Sequence, residues 1–225
     1  MGNLVRRSSE SNIERLQKQG VAFAHGYIRC VEDFTGIPPG IELICDASAP
    51  PSVVSGYTNP MFDSTNNMLG VIASAGPFGK IDQGWVVWWA VACWFSLPSK
   101  YIGWGGKQVR DILFVEDVCR LVDLEIRQIG RLRYGVFNAG GGAANSLSLV
   151  EAMQFLEKRL GRSMSVSNGE RPRKADAVIY YWDNREVARL LGWGPKVSLV
   201  EGTDSILAWI GENEAELSAW YRSAS

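Results

Sequence analysis

Ser11-Asn12-Ile13-Glu14-Arg15-Leu16-Gln17-Lys18-Gln19-Gly20 runs directly into Val21-Ala22-Phe23-Ala24, and Ile41-Glu42-Leu43-Ile44-Cys45 follows. The first stretch has helical character over Ser11 to Gln19, with Ile13 and Leu16 on one face and Gly20 as a stop. The two short apolar runs read as strands, the second entering the small-residue turn Asp46-Ala47-Ser48-Ala49-Pro50-Pro51. Helix, strand, loop and strand at this spacing predict an α/β fold with a parallel sheet.

Working outward, Gly76 to Gly84 is Gly-rich and loop-like, and Trp85 to Phe95 is a helix ended by Leu97-Pro98. That apolar run is shorter than the roughly 20 residues a membrane span needs, so it reads as a buried or pocket-lining helix. Val115-Glu116-Asp117 leads into a helix through Leu124, and Tyr134 to Asn138 reads as a strand. The strand enters Gly140-Gly141-Gly142, followed by a Ser-rich N-cap and a helix from Leu147 to Leu160. Asp183 to Leu191 is helical and stops at Gly192, and Ser198 to Ile210 is the last expected helix.

The 225 residues are 46% hydrophobic and 21% charged, which suits a packed globular chain. The net charge of −1 argues against a nucleic-acid binder, which needs a basic surface to release counterions. A small anion held by one or two arginines remains compatible with it. The four cysteines are widely spaced and no secretory signal is visible, so reduced thiols in a cytoplasmic protein are expected. The single histidine, His25, excludes a multi-histidine metal site and reads as a structural residue.

Six blocks, read in order, resemble the NAD-dependent epimerase/dehydratase family, the extended short-chain dehydrogenases/reductases. They are Asn3-Leu4-Val5-Arg6-Arg7 through His25-Gly26; Asp46 to Ser52 with Asn67-Met68-Leu69-Gly70; and Phe78 through Asp82-Gln83-Gly84-Trp85-Val86. The others are Gly106-Lys107-Gln108-Val109-Arg110-Asp111 with Val115-Glu116-Asp117; Phe137-Asn138-Ala139-Gly140-Gly141-Gly142; and Arg173-Lys174-Ala175-Asp176 with Asp183-Asn184 and Leu191 to Lys196. Asp82-Gln83-Gly84-Trp85-Val86 is most similar to the CDP-paratose (CDP-tyvelose) 2-epimerase branch.

The resemblance implies an incomplete Rossmann-like parallel sheet with a C-terminal substrate-binding lobe. Residues 1–75 would be a remnant of the NAD-binding half, and residues 76–225 the substrate side. It also implies a chain truncated at its N-terminus and internally deleted at about Gly70. The family's Gly-rich phosphate turn, which lets backbone and a helix N-terminus approach a pyrophosphate, has no counterpart here. None of the 7 tyrosines has a lysine four residues on, so the family's Tyr-x-x-x-Lys pair is missing too. In the family that tyrosine exchanges the proton and the lysine lowers its pKa. Single departures point the same way: Gly2, Tyr27 and Phe114 stand where the family carries an acidic residue, Asp and His.

Implied by resemblance, Asn3, Ser48 and Ala49 would touch the adenosine half of NAD. Asp82, Gln83, Trp85, Arg110 and Arg173 would face a nucleotide-sugar, CDP-linked by branch, with the arginines on its phosphates. The plain alternatives are a turn Asn and small loop residues for the first group. For the second they are core aromatics at Trp85, Trp88 and Trp89 and an ion pair of Arg110 with Asp111 or Glu116. Arg171 competes with Arg173. The expected function is an epimerase-like protein impaired in catalysis. The alternative is a non-catalytic remnant that binds a sugar nucleotide, forms a homo-oligomer, or pairs with a full-length paralogue.

Overall fold

A computed structural model describes residues 9–27, 30–38, 40–42, 45, 84–132, 135–169 and 177–222. The chain divides into two compact units, Met1–Val71 and Ile72–Ser225. Asn3, Ser48, Ala49, Asp82, Gln83 and Arg173 lie outside the described residues, as does the expected junction near Gly70.

In the first unit a 3-10 turn, Ser9–Asn12, leads into α1, Ile13–Lys18. Glu14 and Lys18, one turn apart, pair at 2.7 Å on its exposed surface. The chain leaves at Gly20, whose N–H reaches the Gln17 carbonyl at 2.9 Å. The expected strand Val21–Ala24 does not form, and only His25 makes an isolated bridge. Ile41, Glu42 and Cys45 are also outside any strand. Val21 and Ile41 are 47% and 49% exposed, so these apolar runs lack the burial that would hold them in a sheet. A second 3-10 turn, Val31–Phe34, is fixed by Asp33, which accepts the Tyr27 N–H at 2.8 Å.

The second unit holds two cores. The first is built on α2, Trp85–Phe95. This helix is apolar on every face, a pattern stable only when the helix is surrounded. It packs against α4, Leu149–Leu160, and α6, Leu199–Glu212. Val91, Ile206 and Ile210 are almost completely buried there. Each such side chain contributes about 1.5–3 kcal/mol relative to exposure. Helix α2 ends at Ser96, in the left-handed region with φ 55°, and the Leu97 N–H returns to the Ala92 carbonyl at 2.8 Å. Leu217 of the C-terminal α7, Glu214–Arg222, belongs to the same core as Met153 and Leu156 of α4.

The second core joins α3, Val115–Arg127, to α5, Arg185–Leu191, through Leu121, Val187, Leu191 and Trp193. Two small sheets lie alongside. Strand β1, Ser99–Tyr101, pairs in parallel with β4, Val166–Asn168. Strand β2, Val109–Asp111, is central between antiparallel β3, Ser146–Ser148, and parallel β5, Ile179–Tyr180. The fold is thus mixed α/β with parallel pairing, as expected.

Two boundaries differ from the sequence reading. Gly135–Asn138 is not a strand. Ser146-Leu147-Ser148 pairs with β2 before the helix begins at Leu149. Ser148 caps that helix, accepting the Glu151 N–H at 3.2 Å, while Glu151 accepts the Ser148 N–H at 2.7 Å. Ser198 and Glu201 form the same reciprocal cap on α6.

Candidate functional site

Strand β2 carries Arg110 at its centre and Asp111 at its end. The Arg110 guanidinium donates to the carbonyls of Val109 at 2.6 Å and Ala177 at 2.7 Å. Those bonds set the plane of the fork and tie it to the backbone just ahead of β5. Arg110 is paired across the sheet with Tyr180. Desolvation, followed by the Asp111 carboxylate, pushes the Tyr180 phenol above its ordinary pKa, and Arg110 opposes this.

Asp111 organises the glycine loop. Its carboxylate accepts the Gly142 N–H at 2.9 Å and the Trp182 N–H at 3.2 Å. Asn184 clasps the same loop, accepting the Gly140 N–H at 2.9 Å and donating to the Gly140 carbonyl at 2.8 Å. Gly141 lies so close to β2 that an added Cβ would sit 2.0 Å from the Ile112 carbonyl oxygen. Only glycine fits there.

Beside this loop is an open cavity of about 630 Å³, lined by Gly142, Tyr181, Trp182, Asn184 and Trp193 among others. The sequence reading did not single out Tyr181 or Trp182. The available signal was the uncharged run Val178 to Trp182 directly before Asp183-Asn184. The cavity's polar groups are largely engaged: Asp183 pairs with Arg185 at 2.6 Å, and Trp193 donates its indole N–H to the Asp117 carbonyl at 3.1 Å.

Of the expected substrate-side residues, Trp85 and Arg110 are described. Trp85 opens α2 and is half-buried against the first core, with Trp88 beside it and Trp89 buried. Arg110 sits on the three-stranded sheet. His25 is exposed, its ring 6.0 Å from that of Tyr27 in an edge-on contact. Phe114, standing at the family's histidine position, is fully buried. Among the described residues no three His, Cys, Asp or Glu side chains cluster as metal ligands. No described helix is long and apolar enough to cross a membrane.

No family model matches the chain. The CDP-paratose 2-epimerase of Salmonella typhi is 33% identical over 136 residues, covering 59% of this chain and 40% of that protein. A second relative, the UDP-glucuronate 4-epimerase of Thermodesulfobacterium geofontis, is 28% identical over 141 residues, covering 61% of this chain and 41% of that protein. The chain therefore spans less than half the length of either curated relative. Its fold resembles the UDP-glucuronic acid 4-epimerase of Bacillus cereus, solved with UDP-glucuronic acid and NAD. The TM-score is 0.54 at 20% identity, covering 71% of this chain and 51% of that one.

Proposed function

We propose that this chain is a nucleotide-sugar-binding member of the epimerase family that favours a CDP-linked sugar and does not turn it over unaided. The match to the Salmonella CDP-paratose 2-epimerase carries this reading. Arg110 is assigned to the diphosphate by resemblance, and two backbone carbonyls fix the position of its guanidinium on the sheet. Arg173, Asp82, Gln83 and Trp85 are assigned to the same substrate by resemblance. Residues 76–225 would form the substrate side.

NAD is the cofactor bound in the Bacillus cereus structure, and Asn3, Ser48 and Ala49 are assigned to it here by resemblance alone. The glycine loop of residues 140–142 offers no cradle for its pyrophosphate. The N–H groups of Gly140 and Gly142 are spent on Asn184 and Asp111, and Gly141 is pressed against Ile112. With no Tyr-x-x-x-Lys in the sequence, the proton exchange that accompanies hydride transfer lacks its donor.

The test is to denature the purified protein and assay released NAD, then incubate the native protein with CDP- and UDP-linked sugars and NAD. Little released dinucleotide, no epimer by NMR and tighter binding of CDP than UDP are expected. Stoichiometric NAD or steady epimer formation would overturn the unaided-inactivity reading.

A further inference from the structure

Strand β5 is an edge. Its inner side is spent on β2, where the Val109 N–H donates to the Val178 carbonyl at 2.8 Å and the register pairs Val109 with Ile179 and Arg110 with Tyr180. A parallel ladder of this register turns the N–H and C=O of Tyr180 inward. Alternation then turns those of Ile179 and Tyr181 outward. Among the described residues no strand pairs with that outer side.

The edge is short, two residues long, but carries no charge or proline to block it. Val178, Ile179, Tyr180, Tyr181 and Trp182 are consecutive, uncharged and exposed, with Ile179 at 63% and Tyr181 at 52%. Natural edges are normally blunted by shortness, a lysine, a proline, a bulge or a covering element, and of these β5 shows the first. The first charge, Asp183, is already neutralised by Arg185 at 2.6 Å.

We propose that this edge is a self-association surface and that its occupant is the same strand of a second copy, antiparallel about a two-fold axis at Tyr180. The segment is its own complement in that arrangement. Ile179 of one copy faces Tyr181 of the other, and both contribute an outward N–H and C=O, giving a closed set of interchain hydrogen bonds. The cross-strand pair is β-branched against aromatic, a favourable combination. The strand carries no charge, and the whole chain has a net charge of only −1, so two copies meet without electrostatic repulsion. Two-fold pairing consumes the edge on both copies and closes the assembly.

The register makes the test specific. Tyr180 meets its own counterpart as a non-hydrogen-bonded pair, with Cα atoms about 4.5 Å apart. A disulfide can bridge that distance. Ile179 lies diagonal to its counterpart, roughly 7–8 Å away, which is too far. In the full chain with Cys30, Cys45 and Cys119 changed to Ser, Tyr180→Cys should oxidise to a covalent dimer and Ile179→Cys should not. With the native strand, light scattering at micromolar concentration should give twice the chain mass. Ile179→Pro removes an outward donor without touching the β2 ladder, and should give a monomer with an unchanged circular-dichroism spectrum. A monomeric parent, equal cross-linking at positions 179 and 180, or open-ended larger species would each overturn the proposal.

Discussion

The Asp117 carboxylate lies against the backbone of Lys196, whose N–H reaches both of its oxygens at 3.0 and 3.1 Å. It also accepts the Val197 N–H at 3.1 Å and the Arg120 guanidinium, which in turn donates to the Gly194 carbonyl. Asp117 is fully buried. It stands in the first turn of α3, so this set of bonds pins that helix to the turn that launches α6.

Asp117→Ala strips the acceptor from several buried donors and leaves Arg120 without its partner. A loss of about 3–5 kcal/mol is expected, measured as a lower urea midpoint. Asp117→Asn keeps an acceptor oxygen and should lose less. Equal midpoints for parent and Asp117→Ala would contradict the clamp.

Phe114 and Gly202 are matched in shape. A Cβ at Gly202 would sit 2.1 Å from the Phe114 ring, which is fully buried. Gly202→Ala is expected to cost about 1–3 kcal/mol by overpacking. Phe114→Leu together with Gly202→Ala should cost less than the sum of the two single changes in a double-mutant cycle.

The thiols divide by burial. Cys30, Cys45 and Cys119 are exposed and Cys93 is buried. Desolvation, then the Glu157 carboxylate, pushes Cys93 above the ordinary thiol pKa, with Arg162 opposing. A thiol-specific colour reagent should titrate three cysteines quickly in the native protein, and the fourth only after denaturation.

Asp183 reports on its pairing with Arg185. Hydrogen bonds from the Arg185 side chain and backbone hold its carboxyl at about 2, below its ordinary 3.8. A depressed carboxylate favours the folded state above its unfolded pKa, and that contribution is lost as pH falls from about 4 towards 2. The pair is exposed, so the effect on overall stability is small. Carboxyl NMR titration should show Asp183 returning to the ordinary range in Arg185→Ala.

Local chemistry made much of this fold readable. The apolar run Trp85–Phe95 became a buried helix, and the helices expected from Leu147 and Ser198 form, starting two and one residues later behind the caps Ser148 and Ser198. What escaped was set by distant contacts. Val21–Ala24 has strand composition without a ladder, and Ser146–Ser148 is a strand only because β2 lies beside it. Helix α7 follows a break at Asn213, beyond Ile210 where the last expected helix ends. At the site, Arg110 was singled out through its motif. The role of Asn184 on the glycine loop depends on a partner 44 residues away, and no sequence pattern shows that.

Arg110 is where the proposed function meets the coordinates. Isothermal titration of CDP into the purified chain should show saturable binding that weakens by at least about tenfold in Arg110→Ala, the loss of one charge-assisted contact. It should be only partly restored in Arg110→Lys, which lacks the planar fork. Absence of binding by both CDP and UDP, or CDP binding unchanged in Arg110→Ala, would contradict a nucleotide-sugar site on β2.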